Sequence, residues 1–288
     1  MGAGVIGMGQ IFKGDLYARA ALRDPYPHYK ILRDTGPAVY MPRRKMWAVS
    51  RFEDVRDVLR NDAVFISGKG VGANSLVNRG TVPITLICDA DTHMRRRRVL
   101  IQPVMPLALK VLRPRLEEEA DRFISSYATG KRFDAMSTVA AHLPVTIVAE
   151  LVGLNAQARA RMLKWAAATF NLLGVLNPRS VFSIPYLMQL QRFSGRLSRK
   201  LVVPGGWADR LFDAADRGEL SLDEAKAMII DYVAPALDTT ILATGHMLWR
   251  LAVTPGAYDA LRAEPELVPS VVNEAVRLAS PIRGFRAM

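Results

Sequence analysis

The residues of this 288-residue chain that could do chemistry lie in a few short stretches. Asp238-Thr239 sits in an apolar run, between Ala236-Leu237 and Ile241-Leu242. Burying an unpaired carboxylate is costly, so an acid in such a run needs a reason. Next to a hydroxyl it forms an acid–alcohol pair able to handle protons. His93 and Arg97 are spaced i, i+4, so on a helix they share a face and offer an imidazole and a guanidinium to one anion, a carboxylate or a phosphate. Glu274 and Arg277, spaced i, i+3, share a helical face as an ion pair, a spacing also common among surface salt bridges.

Other patterns carry less. Gly2-Ala3-Gly4-Val5-Ile6-Gly7 has the spacing of a dinucleotide-binding turn. It lacks the strand that must precede such a turn and the acid that must follow it. The zinc-protease, phosphate-loop and nucleophile-elbow motifs are absent from the sequence. His28, His142 and His246 are isolated, and the apolar surroundings of the last two mark them as hydrogen-bonded core residues rather than ligands. One cysteine, Cys88, excludes a disulfide framework and a Cys-based zinc site.

The elements that must position these residues are mostly helices. Asp24 to Pro27 reads as a turn, and Tyr29 to Asp34 as a short helix ended by Gly36-Pro37. Ala38 to Met41 and Met46 to Ser50 read as two strands around Pro42-Arg43-Arg44, and Phe52 to Arg60 as an amphipathic helix. Gly68 to Pro83, rich in Gly, Asn and Ser, reads as a long loop of the kind that binds ligands. Helices are expected over 107–127, 140–154, 157–173 and 185–201. Ser221-Leu222-Asp223-Glu224 is a capping box opening a helix that runs to Val253, where Thr254-Pro255-Gly256 stops it. At 1.5 Å per residue this helix is ~48 Å long and crosses the middle of the fold. Pro235 inside it predicts a kink that frees backbone groups for water or a ligand. A last helix covers 267–278, ended by Ser280-Pro281. The expectation is a mainly α fold with a small N-terminal β-sheet, one domain over residues 1–288.

Composition bounds the function. Half the residues are hydrophobic and 23% are charged, which excludes a disordered or collagen-like chain. The charge-free stretches Ala135–Ala149 and Trp165–Pro178 are too short to span a bilayer, and Met1 to Gln10 has no signal-peptide pattern, which favours the cytoplasm. A net charge of +12, spread along the chain with one dense cluster at Arg95-Arg96-Arg97-Arg98, keeps a second reading open: a basic helical module without enzymatic activity, binding nucleic acid or an acidic protein. Asp238 weighs against nucleic acid, because an acid opposes phosphate binding.

Three motifs in order are more specific than any one. Asp89-Ala90-Asp91-Thr92-His93-Met94-Arg95-Arg96-Arg97-Arg98, then Ala236-Leu237-Asp238-Thr239-Thr240, then Glu274-Ala275-Val276-Arg277 resembles the cytochrome P-450 haem-thiolate monooxygenases, the soluble bacterial type above all. The stretch from Asp24-Pro25-Tyr26-Pro27 to Val55 is similar to that family's first helix, sheet and second helix, so the resemblance covers nearly the whole chain. It implies haem b (iron protoporphyrin IX) as cofactor, with O2, a small apolar or aromatic substrate and a ferredoxin-type electron donor as partners. By the same resemblance His93 and Arg97 bind the haem propionates, with Arg286 as a further propionate ligand. Asp238 and Thr239 deliver protons, Glu274 and Arg277 form the structural ion pair beside the haem, and the 68–83 loop recognises substrate. Arg95, Arg96 and Arg98 are then expected to form the basic face that receives an acidic electron donor.

Two departures stand out. Pro235 and Ala236 replace the family's usual small residue and Gly ahead of the acid–alcohol pair. The family's haem-ligand Cys loop lies beyond Glu-x-x-Arg, and Cys88 matches no ligand position. The resemblance therefore implies a chain truncated before that loop, without the thiolate and inactive by itself.

Overall fold

The computed structural model describes residues 10–75, 77–79, 84–127, 130, 132–284 and 286–287. The Gly2–Gly7 pattern lies outside the described residues, as do residues 76 and 80–83 of the long loop. The chain divides into a small unit ending at Ile66 and a large unit, Ser67–Ala287.

In the small unit, strands β1 (Val39–Met41) and β2 (Met46–Ala48) pair antiparallel with Tyr40 opposite Trp47. Ile11 adds a parallel bridge to Tyr40. Phe12, Leu32, Val39 and Met41 form the core beneath. Helix Phe52–Arg60 has the expected bounds, and the preceding helix, Tyr26–Thr35, starts earlier than expected because Pro27 fits its first turn.

The large unit is helical. Its core joins Met162 and Trp165, Leu190 and Leu197, Leu211, and Met228, Val233 and Leu237 of the long helix, Leu222–Val253. That helix is the one described helix long and apolar enough to cross a bilayer by length and composition. Here its first half is the hub of the core: Ala225, Met228 and Val233 are wholly buried. The capping box is present, with Glu224 N–H donating to Ser221 Oγ at 3.1 Å and Ser221 N–H to Glu224 Oε2 at 2.8 Å.

Several boundaries differ from those read in the sequence, each for a physical reason. The helix expected over 185–201 spans Pro178–Arg196. Asn177 caps it by accepting the Ser180 N–H, Pro178 occupies its first turn, and Pro185 lies inside it. The helix over Trp207–Asp216, not anticipated, is held from outside: Arg199 bonds Asp209, Asp213 and Asp216 at 3.0, 2.7 and 2.6 Å. The apolar segment Met136–Val152 is helical but contains π-type turns at Met136–Ala140 and Pro144–Val148. It ends at Gly153, whose φ of 75° suits a left-handed cap and whose missing side chain lets the Gly206 backbone approach. Gly245 of the long helix works similarly, since a side chain there would collide with the Met136 sulfur.

The helix Ala90–Leu100, called the arginine helix below, is fixed to the start of the long helix by one carboxylate. Arg95 gives Glu224 two bonds, at 2.9 and 2.5 Å, and Arg96 gives it another at 3.0 Å. The Arg95 guanidinium foremost, against the opposing effect of burial, holds the Glu224 carboxyl down at about 2. Glu224→Ala should cost about 2–4 kcal/mol in denaturant unfolding at neutral pH, because it strips the cap and strands a buried guanidinium. The folded carboxyl titrates below its ordinary value of 4.5, so its contribution is complete above pH 4.5 and lost as pH falls toward 2. The gap between variant and wild type should close in that window.

Candidate functional site

The arginine helix sorts its four guanidiniums by partner. Arg96 is 8% exposed, bonded to Glu224 and to Ile84 O at 3.2 Å. Arg95 also reaches Glu219 O at 2.9 Å. These two arginines are structural, which corrects the expectation that Arg95, Arg96 and Arg98 form one docking face. Only Arg98 and Arg97 are exposed without a bonded partner among the described residues. His93, half-buried, also has no side-chain partner there. His93 and Arg97 are thus unclaimed side chains on one face of a helix that commits Arg95 and Arg96 to Glu224.

The long helix changes character midway. Its buried residues run from Glu224 to Leu237, and beyond that only Ile241 is buried; Leu242 and Trp249 are exposed. Asp238 and Thr239 stand at this change. Asp238 is half-buried with no hydrogen-bond or ion-pair partner among the described residues, and burial alone pushes its carboxyl up from the ordinary value. The Thr239 hydroxyl donates to Pro235 O at 2.6 Å. The helix continues through Pro235, whose missing N–H deprives the Asp231 carbonyl of its helical donor, and the Thr239 hydroxyl does not reach that carbonyl.

The acid that sequence reasoning passed over is Asp231, one heptad before Asp238. Its Oδ2 accepts the Thr85 N–H at 2.8 Å, and desolvation pushes its carboxyl up to about 6, against the opposing pull of that bond and of Arg96. The neighbouring Tyr232 hydroxyl donates to Leu100 O at 3.0 Å. Asp231 and Tyr232 therefore continue the clasp that Glu224 begins. The only signal in the sequence was an acid between Ile230 and Tyr232 in a helix too apolar to carry one freely.

The loop from Gly68 is built from its own amides. Ser67 and Gly68 N–H both donate to Asp89, each at 2.7 Å, and Asn78 closes a ring with the Gly72 backbone at 2.8 and 2.9 Å. Asn74, 8% exposed, donates to Leu172 O at 2.8 Å and Gly174 O at 2.7 Å. The loop is thereby tied to the end of the helix Ala156–Leu173. Arg286 donates to Gly72 O. Glu274 and Arg277 pair within the helix Val268–Ala279 through two bonds of 2.6 Å, on an exposed surface. His142 bonds Glu119 at 2.7 Å and stacks on Phe123, and His246 accepts from Arg250 at 3.3 Å; both are partnered inside the protein rather than placed to bind a metal. Among the described residues no cluster of His, Cys, Asp and Glu could hold a metal ion. Cys88 donates to Thr85 O at 3.2 Å, and burial pushes its thiol up.

The residues present fit a haem in two respects. His93 and Arg97 are hydrogen-bond donors without partners among the described residues, suited to carboxylates, and the second half of the long helix offers an uncovered apolar flank bearing a partnerless acid. The sequence contains no cysteine besides Cys88, so the thiolate of a haem-thiolate site is not among these residues.

No family model matches the chain. It is 31% identical over 289 residues to the cytochrome p450 CYP199A2 of Rhodopseudomonas palustris, covering 99% of this chain and 69% of that protein. It is 27% identical over 286 residues to the beta-dihydromenaquinone-9 omega-hydroxylase of Mycobacterium tuberculosis, covering 96% of this chain. The chain spans 57% of that relative's length. Among solved structures, CalO2 aligns with a TM-score of 0.75 at 24% identity, over 92% of this chain and 69% of the other. Epothilone D-bound cytochrome P450epoK aligns with a TM-score of 0.76 at 22% identity, over 92% and 70%. These structures share the fold described above.

Asp231→Asn tests the clasp. Below about pH 3.8 the carboxyl is neutral folded and unfolded alike; from there to about 6 the unfolded chain ionises first, so holding the acid costs progressively more stability as pH rises. The amide oxygen of Asn still accepts the Thr85 N–H. The variant should therefore gain on wild type between pH 4 and 7, by up to about 3 kcal/mol in denaturant unfolding. A difference that does not grow with pH would rule out a desolvated acid at this position.

Proposed function

Because the chain belongs to the cytochrome P450 family, we propose that the protein carrying it is a haem-dependent monooxygenase acting on a small organic substrate, apolar or aromatic. Haem, when bound, supplies the activation of O2 and the insertion of one oxygen atom into the substrate. The observation that carries this reading is the sorting of the arginine helix: Arg95 and Arg96 are committed to Glu224, while His93 and Arg97 stay unclaimed. His93 and Arg97 hold the propionates as charge-assisted partners. Arg286, at present bonded to the Gly72 carbonyl, is a further propionate ligand in this reading.

The remaining roles belong to the long helix and the loop beside it. Asp238, with a carboxyl raised by burial, keeps its proton to higher pH than an exposed acid does, which suits it to relay protons in this reading. Thr239 passes a proton from its hydroxyl and is replenished from the Asp238 side. Glu274 and Arg277 brace the helix that carries them, and the Gly68 loop limits which substrates enter. In this reading the electrons come from a redox partner of the ferredoxin type, as the family membership supports.

Three experiments on the complete enzyme test the assignment. Replacing His93 and Arg97 together by Ala should lower haem content several-fold by Soret absorbance, while Arg98→Ala, an exposed neighbour, leaves it unchanged; equal haem content in all three proteins would remove the propionate role. Thr239→Ala should keep substrate binding and oxygen uptake but divert reducing equivalents to free hydrogen peroxide. Asp238→Asn should slow turnover by about 10²–10⁴-fold, the range of general acid–base catalysis, with an enlarged solvent isotope effect. Full coupling of electrons to product in Thr239→Ala would reduce the pair to a helix-capping detail.

A further inference from the structure

The end of the helix Ala156–Leu173 is closed by a side chain from a distant part of the sequence. A helix leaves its last four carbonyls without an intrahelical donor, here those of Phe170 to Leu173. The helix end and the turn after it fill two of the four. Gly174 N–H donates to Phe170 O at 3.3 Å, and Ser180 Oγ donates to Asn171 O at 3.0 Å. The Gly68 loop fills the other two. Ala73 N–H donates to Leu173 O at 2.6 Å, and Asn74 Nδ2 donates to Leu172 O at 2.8 Å. The same Nδ2 also serves Gly174 O, at 2.7 Å.

Asn74 commits its whole amide to this joint. Its Oδ1 accepts the Val77 N–H at 3.1 Å, which fixes the direction of the amide and aims both Nδ2 hydrogens at the helix end. Each side of the joint is stiffened within itself. Beyond the helix end, Asn171 Nδ2 donates to Ser183 Oγ at 3.1 Å and Asn177 Nδ2 to Val175 O at 3.0 Å. Within the loop, the Asn78 amide brackets the Gly72 backbone through two bonds. Two braced bodies are thus joined, among the described residues, by three hydrogen bonds, and two of these belong to one side chain. Local opening takes the route that breaks the fewest interactions, and here that route runs through Asn74.

We propose that Asn74 is a positioning residue that latches the Gly68 loop to the end of the helix Ala156–Leu173 and so sets how bulky a molecule can pass the loop. The proposal rests on the reading in which this loop limits substrate entry. With the amide in place the loop keeps one shape and admits small molecules only. Release of the amide exposes the carbonyls of Leu172 and Gly174, which water can then serve, so the latch opens without disturbing the core of the long helix.

Two variants separate a latch from a local turn. Asn74→Ala removes every bond of the side chain. Asn74→Asp keeps an oxygen for the Val77 N–H but turns a carboxylate toward carbonyls at a helix C-terminus, where negative charge is repelled. In the purified chain, hydrogen exchange of the Ala73 amide should quicken about tenfold in Asn74→Ala, as expected for two lost neutral bonds, and further in Asn74→Asp. A residue that only formed the turn would give the opposite order, since Asp preserves the turn and Ala does not. Circular dichroism verifies that both variants fold. In the haem-loaded complete enzyme, stopped-flow Soret changes report the entry of imidazole and of the bulkier 4-phenylimidazole. Both variants should take up 4-phenylimidazole several-fold faster than wild type, and imidazole at the wild-type rate. Unchanged Ala73 exchange, Asn74→Asp no more open than Asn74→Ala, unchanged 4-phenylimidazole entry, or equal acceleration of both azoles would each overturn the proposal. A wild-type enzyme that responds to neither azole would count against the haem reading, and the exchange measurement then decides the latch by itself.

Discussion

The Glu224 carboxylate is the point on which the large unit turns. One side chain closes the capping box that starts the long helix, accepts both donors of Arg95, and neutralises the buried Arg96. A buried guanidinium without such a partner is among the costliest defects a core can hold, so the arginine helix can sit in one rotation only. With Arg95 and Arg96 turned to Glu224, His93 and Arg97 are left without internal partners. The availability of the two candidate ligands is thus a consequence of where their neighbours had to go.

Glu224, Asp231 and Asp238 are spaced seven residues apart, so they form a stripe along one side of the long helix, drifting only ~20° per step. Their environments change in order. Glu224 is ion-paired and held strongly acidic, Asp231 has a backbone donor and is pushed up to about 6, and Asp238 has no partner and is raised by burial. The first two clasp the arginine helix and the segment before it. The third repeats the position where the clasp has ended. A stripe that is structural over its first two steps and unpartnered at the third is a physical reason to place proton chemistry at Asp238, independent of any motif.

Local signals in the sequence survived folding, and pairings across long separations did not show in it. The capping box, the Phe52–Arg60 helix and the Glu274–Arg277 pair each involve groups within a few residues and were legible from spacing. The Arg95–Arg98 run read as one charged face because nothing local reveals that Glu224, more than a hundred residues away, claims two of its members. Pro185 read as a helix start because proline usually is one, yet Asn177 and Pro178 supply a better cap earlier. The Trp207–Asp216 helix escaped notice because its stabilising partner, Arg199, precedes it in a separate turn. Asp231 looked like any acid until the Thr85 amide was found on it.

Pro235 gives the acid–alcohol pair a property that an ordinary helix would lack. Proline carries no N–H, so the turn that ends at 235 is one bond short, and the helix there is easily bent. The carbonyl that loses its helical donor is that of Asp231, while the Thr239 hydroxyl adds a donor to Pro235 O at 2.6 Å, and threonine bonded back in this way itself favours a bend. While that bond stands, the hydroxyl's hydrogen is spent on its own helix and only its lone pairs face outward. Donation to a bound group requires the bond to be exchanged, at a net cost of about 0.5–1.5 kcal/mol for one neutral hydrogen bond. A charge developing nearby repays that cost, and a neutral substrate does not. In the proposed proton-delivery role the hydroxyl proton is therefore withheld at rest and released when negative charge develops, with the raised carboxyl of Asp238 in the next position to replace it.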